Sequence, residues 1–418
     1  MKNIPLHSLV MMVGPSGAGK STLGKNKFDD YEIISSDAIR YEFNGDISRT
    51  YDNARAVFKE MEHRAALKLS MGERVVLDAT FLKKRDRQAF TDLGRSLNVP
   101  IFYIVVNRPM EEKKKITDWR SNSNIIDRME EVFISNEKDI LRGDHVATVI
   151  DFRKEDFDVI KKPPYGDISD FVRNSSFNGI MVVADIHGMR ESLKSAIDMA
   201  NARNMYMIFL GDIIDYGPDS IDCVDIVYDL MTRGKATAIL GNHERKIYRW
   251  IDQAKRGAVT VKLSDGNRMT TDYVEKMSFK ERKKFETRFS CVVELARNHI
   301  IIGDTILTHG AAHIDMFKFE TSRLNGFLES LAVYGETDKE DKQGSYPTRL
   351  YNWVDELKGK SAIVGHDIRS DISPFIVNHD DGSSVVFLDT GSGKGGHLTT
   401  AHMFEEKGKF VIKAYSNH

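Results

Sequence analysis

The sequence predicts an α/β chain of two domains, and three observations carry that prediction. Strand-length apolar runs alternate with helical stretches from residue 8 to residue 152, as in a parallel sheet covered on both faces. Residues 153–178, "RKEDFDVIKKPPYGDISDFVRNSSFN", break the alternation with charge, a Pro-Pro pair and a Ser/Asn cluster. From Gly179 the alternation restarts, and most of its strands end in Asp, Asn or His. The expected organisation is a first domain over 1–155, a linker over 156–178 and a second domain over 179–418. A length of 418 residues suits two or three domains.

Composition bounds the function. The longest apolar runs, "VVLDATFL" and "IFYIVV", are far shorter than the ~20 residues of a membrane span. The N-terminus lacks the basic region, long apolar stretch and cleavage site of a secretory signal. Cys223 and Cys291 alone build neither a disulfide framework nor a CxxC metal cluster. A cytoplasmic location without membrane attachment is expected. The net charge of −2 excludes a grossly basic binder but not a local basic channel.

In the first half, "SLVMMV" reads as a buried strand, "GAGKSTLGKNKF" opens a helix and "YEIISSD" is a second strand. "ARAVFKEMEHRAALKLSMG" reads as an amphipathic helix ending at Gly72. "RVVLDAT" and "IFYIVV" are strands around the helix "KRDRQAFTDLGRSL", and "HVATVIDF" is a last strand. Between the first strand and its helix lies "GPSGAGKS", which satisfies the phosphate-binding pattern G-x-x-x-x-G-K-[ST]. Gly14, Pro15, Ser16, Gly17, Ala18, Gly19, Lys20, Ser21 and Thr22 are therefore expected to bind ATP. Lys20 would reach the β/γ-phosphates and Ser21 would hold Mg²⁺.

Asp37, in "IISSDAIR", stands at a strand end on the same edge as the loop. It suits a base that takes the proton of an attacking hydroxyl, and equally a helix N-cap. Arg40 would hold a phosphate of the acceptor strand, and Asp78 would bind Mg²⁺ through water or touch the acceptor. Arg120 and Arg128 are the expected lid contacts to ATP, while Lys113, Lys114 and Lys115 read as a solvated helix face. "GPSGAGKST", "ISSDAIR" and "VLDAT", in this order over 8–152, resemble the 5′-OH polynucleotide kinase domain of bacterial Pnkp-type end-healing enzymes. They are more loosely similar to phage polynucleotide kinases. The resemblance implies that Asp37 is the base.

In the second half, "DIHG" (185–188), "GDIIDYG" (211–217), "GNHE" (241–244), "THG" (308–310) and "GH" (365–366) each close a predicted strand. Strand ends on one sheet edge converge, so ligands distant in sequence meet there. Mixed Asp, Asn and His donors suit Mn²⁺, Fe or Zn²⁺, and two such ions clamp a phosphate for in-line attack. A charged helical stretch, about 245–297, interrupts the series like an inserted cover.

This set resembles the calcineurin-like metallophosphoesterase superfamily over about 180–403, which implies an α/β sandwich. The resemblance assigns Asp185 and His187 to a first metal, Asp212 as the bridge, and Asn242, His309 and His366 to a second. Mn²⁺ is the expected ion. His243 would protonate the leaving oxygen with Asp215 orienting it, and Asp389 would support the metal site. Several relatives carry a phosphate-holding arginine where this chain has Tyr216. Arg245 and Arg369 neighbour the motifs in sequence and are the candidates to replace it. His313 and His397 are expected in supporting or structural roles.

Adding and removing phosphate in one chain makes sense if the reactions act on different ends. The expected function is end healing of broken nucleic acid: a 5′-OH kinase joined to a 2′,3′-cyclic phosphodiesterase and 3′-phosphatase. The expected partners are RNA or DNA ends with 5′-OH and 2′,3′-cyclic or 3′-phosphate, tRNA in particular, and a separate ligase that seals afterwards. A homo-oligomer is compatible with these features. The second-half motifs also resemble dinucleoside-tetraphosphate hydrolases and Ser/Thr protein phosphatases. The alternatives are thus a small-molecule kinase fused to such a hydrolase, and a nonenzymatic ATP-gated binding module.

Overall fold

The chain divides into two units, Met1–Lys161 and Lys162–His418. The structure is a computed structural model that describes residues 2–45, 53–115, 123–319, 324, 326–338 and 348–418. In the first unit the elements run β1 (Lys2–Ile4), β2 (Leu9–Val13), α1 (Lys20–Lys27), β3 (Ile33–Ser35), α2 (Ser36–Asn44), α3 (Ala54–Ser70) and β4 (Val75–Asp78). Then come α4 (Lys84–Ser96), β5 (Ile101–Val105), α5 (Met110–Lys113), α6 (Ser123–Leu141), β6 (Thr148–Asp151) and β7 (Phe157–Val159). Five strands form one all-parallel sheet in the order β3-β4-β2-β5-β6. Leu9, Met11, Val13, Leu77 and Tyr103 face one core, and Val10, Met12, Val76 and Phe102 face the other. Burial on both faces is why these strands read as unbroken apolar runs.

The first unit also carries features the sequence reading lacks. β1 pairs with β7, Lys2 opposite Phe157, so the start of the expected 156–178 linker belongs to a two-stranded ribbon. Phe157 is fully buried and stacks on Phe28 at 6.0 Å, an anchor that a three-residue strand does not announce. The linker's other end is ordered too: α7 (Ser169–Arg173) in the second unit buries Ile168 and Val172 in that unit's core. Lys113 corrects another expectation. It is fully buried and paired with Glu130, whereas Lys114 is half-exposed beside Asp127. Arg87, buried in α4, forks onto Asp144 at 2.6 and 3.0 Å, and Tyr103 donates to the same carboxylate.

The second unit continues with β8 (Gly179–Val183), α8 (Arg190–Arg203), β9 (Met205–Phe209), α9 (Ser220–Thr232), β10 (Ala236–Ala238), α10 (Asn242–Lys255), α11 (Asp265–Lys276) and α12 (Phe279–Leu295). It closes with β11 (His299–Ile302), β12 (Thr305–Thr308), α13 (Gly326–Tyr334), α14 (Asn352–Asp355), β13 (Ser361–Val364), β14 (Phe375–Asn378), β15 (Ser384–Phe387), β16 (Thr399–Glu406) and β17 (Lys409–Asn417). Two five-stranded sheets, β10-β9-β8-β16-β17 and β11-β12-β13-β15-β14, bury Ile180, Tyr206, Ile300, Leu307 and Ile363 between them. Helices α8 to α12 cover the outer face of the first sheet, and α13 and α14 that of the second. The stretch over 245–297 is helical as expected, built from most of α10 with α11 and α12. The β16–β17 hairpin was not read from sequence. Its turn signal is Lys407-Gly408, both at positive φ, between alternating segments. Among the described residues, no helix is long and apolar enough to cross a membrane.

Candidate functional site

Residues 14–22 of the first unit form the turn between β2 and α1. A Cβ on Gly14 would stand 2.0 Å from the Val106 carbonyl oxygen, so only glycine fits the start of the loop. Lys20 Nζ donates to the Gly14 and Pro15 carbonyls at 2.9 and 2.8 Å, which folds the ammonium into the loop. A cleft of about 410 Å³ opens beside it, lined by Ser16, Lys20, Ser21, Asp37, Arg40 and Asp78 among others. Asp78 is placed there by the sheet, opposite Met12 on β2 and Ser35 on β3.

The two readings of Asp37 separate here. Ser35 is the N-cap of α2 and accepts from Ala38 N–H, so the cap is filled by a neighbour. The Asp37 carboxylate instead lines the cleft and accepts from Arg40 at 2.5 Å. Arg108, directly after β5, also lines the cleft, and among the described residues its buried Nε has no hydrogen-bond partner, as is true of Arg40 Nε. The sequence reading missed Arg108; its signal was a cation at a strand end on the loop's edge. Of the expected lid arginines, Arg128 is exposed and does not line the cleft, although Ile125 and Met129 on the same helix do. Arg120 lies outside the described residues.

In the second unit the ligand motifs follow the C-terminal ends of parallel strands: β8, β9 and β10 in one sheet, β12, β13 and β15 in the other. His187 Nδ1 stands 2.9 Å from the Ile214 carbonyl and His309 Nδ1 2.9 Å from the Leu210 carbonyl. A carbonyl only accepts, so both Nδ1 atoms donate, and Nε2 is the atom each ring would offer to a cation. His187 Nε2 faces Asp212 Oδ2 at 3.8 Å, and His309 Nε2 faces Asp212 Oδ1 at 3.3 Å. Asp212 thus offers one oxygen to each side. His187, Asp212 and His243 make one three-donor group, and Asp212, His309 and His366 make another.

These residues fit a pair of cations. Among the described residues, His187 Nε2 and Asp389 Oδ2 are buried without a hydrogen-bond partner, which costs energy unless a ligand completes them. Asn242 Oδ1 lies 2.9 Å from His309 Nε2, within reach of the second group. Asp185 stands outside both three-donor groups, and its carboxylate oxygens accept the His366 N–H at 3.0 and 2.9 Å. A Cβ on Gly365 would meet Asp185 Oδ1 at 2.2 Å, so this approach requires the glycine. Burial and the neighbouring Asp389 push the Asp185 carboxyl well above its ordinary range. Burial alone would raise Asp212 too, but His309, His243 and His187 hold it well below.

His243 Nδ1 meets Asp215 Oδ2 at 2.5 Å while its Nε2 lies 3.8 Å from Asp212 Oδ2. Asp215, fully buried, is in turn held by Asn267 Nδ2 at 2.5 Å and by the Thr270 hydroxyl. Both come from α11, so the inserted helices are part of the support of the His243–Asp215 pair. No spacing rule links residue 267 to 215, which is why the sequence reading missed them. Glu244 was missed as well: its carboxylate accepts the N–H groups of Asp212 and Ile213, each at 2.8 Å, and so sets the turn that presents Asp212. His187, Asp212, Asp215, Tyr216 and His366 all have positive φ, strain that these contacts hold in place.

The candidates to replace an arginine at Tyr216 do not do so by these contacts. Arg245 pairs with Glu329 at 3.0 Å, and Arg369 packs over Tyr351 at 4.1 Å from the ring centre. Instead Arg349 reaches His366 Nε2, and Lys394 sits over the Tyr216 ring. His313 caps a short helical turn through Asp315 N–H, and His397 is exposed.

The chain matches two family models: one described as an AAA domain over residues 9–133, and one described as calcineurin-like phosphoesterase over 179–369. It is 28% identical over 248 residues to the asymmetrical bis(5′-nucleosyl)-tetraphosphatase PrpE of Oceanobacillus iheyensis, covering 56% of this chain and 92% of that protein. The PrpE of Bacillus subtilis is 26% identical over 231 residues, covering 52% of this chain and 88% of the relative. A metallophosphoesterase structure from Sphaerobacter thermophilus aligns at 16% identity with a TM-score of 0.31, over 57% of this chain and 89% of its own. The chain therefore joins a P-loop-type domain on a parallel sheet to a calcineurin-like metallophosphoesterase α/β fold.

Proposed function

We propose that the two units carry opposite phosphate chemistries for nucleic-acid ends: ATP-dependent phosphorylation of a 5′-OH, and hydrolysis of a 2′,3′-cyclic or 3′-phosphate. The observation that carries the reading is the Asp37–Arg40 pair facing the phosphate-loop cleft, with Ser35 rather than Asp37 capping the helix. In the first unit the 5′ oxygen forms a bond to the γ-phosphorus of ATP as the bond to ADP breaks. The hydroxyl proton passes to Asp37. Lys20, Ser21 and residues 14–19 would hold the phosphates and Mg²⁺, Arg40 would steady the acceptor, and Asp78 lines the same cleft.

In the second unit His187, Asp185, Asp212, Asn242, His309 and His366 would hold two divalent cations, Mn²⁺ foremost. Bound there, such ions supply a hydroxide nucleophile at neutral pH and offset phosphate charge. The chain's own contribution is a proton for the leaving oxygen from His243 Nε2, with Asp215 accepting from Nδ1 to fix the ring. Asp389 steadies the cluster. A separate ligase would then join the healed ends.

A second reading is favoured by the likeness to proteins named bis(5′-nucleosyl)-tetraphosphatases: the second unit would cleave a dinucleoside polyphosphate, and the first would phosphorylate a small molecule. One RNA oligonucleotide bearing a 5′-OH and a 2′,3′-cyclic phosphate tests both, incubated with ATP, Mg²⁺ and Mn²⁺ beside a parallel reaction on diadenosine tetraphosphate. Healing of both RNA ends supports the first reading. Untouched RNA with rapid cleavage of the dinucleotide replaces it with the second.

A further inference from the structure

Of the cations on or beside the ligand loops of the second unit, three are committed. Arg245 is paired with Glu329, Arg369 is packed among the rings of Tyr351, Phe375 and Phe387, and Arg349 donates to His366 and to the Tyr334 carbonyl. Lys394 is different. It is exposed, forms no ion pair among the described residues, and rests its ammonium 4.5 Å from the centre of the Tyr216 ring.

Its backbone is tied to the cluster although its side chain is exposed. Asp389 begins the turn and accepts Gly391 N–H at 2.9 Å, and Ser392 donates to the Ile186 carbonyl at 3.0 Å. A Cβ on Gly393 would stand 2.8 Å from His187 Cβ, so the residue before Lys394 packs directly on a cluster histidine. Tyr216 completes the seat. Its ring lies edge-on to His187 at 4.8 Å and tilted to His243 at 5.4 Å, and Gly266 of α11 closes against its other parts. These contacts hold the partly buried Tyr216 at φ 62, a conformation unusual for an aromatic residue. An exposed ammonium over a ring is held more weakly than one donating to a phosphate oxygen. A phosphate at the cluster therefore draws Lys394 off the ring.

We propose that Lys394 is the phosphate-binding cation on the Tyr216 side of the cluster, recognising the non-bridging oxygens of the phosphoryl group. This rests on the phosphoesterase reading of the second unit.

The test uses the full chain loaded with Mn²⁺ and inorganic phosphate as the probe, with binding followed by calorimetry and by inhibition of p-nitrophenyl phosphate hydrolysis. Lys394→Met is expected to weaken phosphate about tenfold and Lys394→Arg less than threefold, with Mn²⁺ affinity the same in all. Unchanged phosphate affinity in Lys394→Met overturns the proposal, and so does a parallel loss of Mn²⁺, which marks a structural role. A wild-type protein that binds Mn²⁺ yet neither binds phosphate nor hydrolyses the ester overturns the phosphoesterase reading itself, and the proposal with it.

Discussion

On the proposed reading, the cleft of the first unit and the cluster of the second would handle the same group by different means. In the cleft, phosphate contacts would come from one contiguous loop, and the Asp37 side chain is 37% exposed. In the cluster, donors arrive from six strand ends, and Asp185, His187, Asp212, His309 and Asp389 are each at most 2% exposed. A backbone cradle is cheap to keep solvated and empty. A buried set of carboxylates and imidazoles needs mutual charge compensation and a fixed second layer, because each unpaired charge is expensive in low dielectric. The cluster is accordingly wrapped in supporting contacts, from Glu244, Asn267 and Thr270.

The largest expected effect tests whether the two sites are independent. Asp212→Asn should lower phosphoesterase turnover by on the order of 10³-fold while leaving 5′ phosphorylation intact, measured on one preparation. A matching fall in both activities breaks the comparison. Asp37→Asn should do the reverse, lowering kinase kcat roughly 10²-fold with the KM for ATP little changed. Next in size is metal removal. Excess Mn²⁺ at about 100 times its Kd should stabilise the second unit by about 2.7 kcal/mol for each bound cation over chelated protein, read as a rise in its thermal midpoint. The first unit's transition should stay put.

Asn267→Ala is expected to cost phosphoesterase kcat about tenfold, with Mn²⁺ affinity preserved and the acidic and basic limbs of the pH–rate profile displaced, since it acts through the His243–Asp215 pair. A loss of Mn²⁺ instead would place α11 in the metal's support. The smallest effect concerns acid. His402 is buried beside Arg203, and burial first, then that charge, brings its pKa down to about 4. The unfolded chain takes this proton near pH 6.5 and the folded unit only near 4, so the contribution is complete above 6.5 and is lost as pH falls between them. The second unit's midpoint should drop across that window by the equivalent of ~2 kcal/mol, and His402→Asn should flatten the slope.

Much of both sites was legible because their chemistry is carried by short motifs at strand ends. The phosphate loop, Asp37, Asp78 and the five motifs from Asp185 to His366 are local patterns, and apolar runs before each told where the sheet edge lies. What escaped was whatever depends on distant partners: the pairing of Lys2–Ile4 with Phe157–Val159, the burial of Lys113 on Glu130, and the placement of Arg108. Lys113 reads as surface because its charge is visible in sequence and its Glu130 partner, on another helix, is not.

The sequence by itself determined two α/β units and the residue types that phosphate chemistry demands, since strand length, loop glycine and donor identity are local properties. Only the tertiary structure decided which side chains support them. Ser35 rather than Asp37 caps the helix, α11 steadies Asp215, and Lys394 lies over Tyr216. Each depends on atoms brought together across turns or from remote strands and helices, and the packing that brings them together is a property of the whole core rather than of any segment.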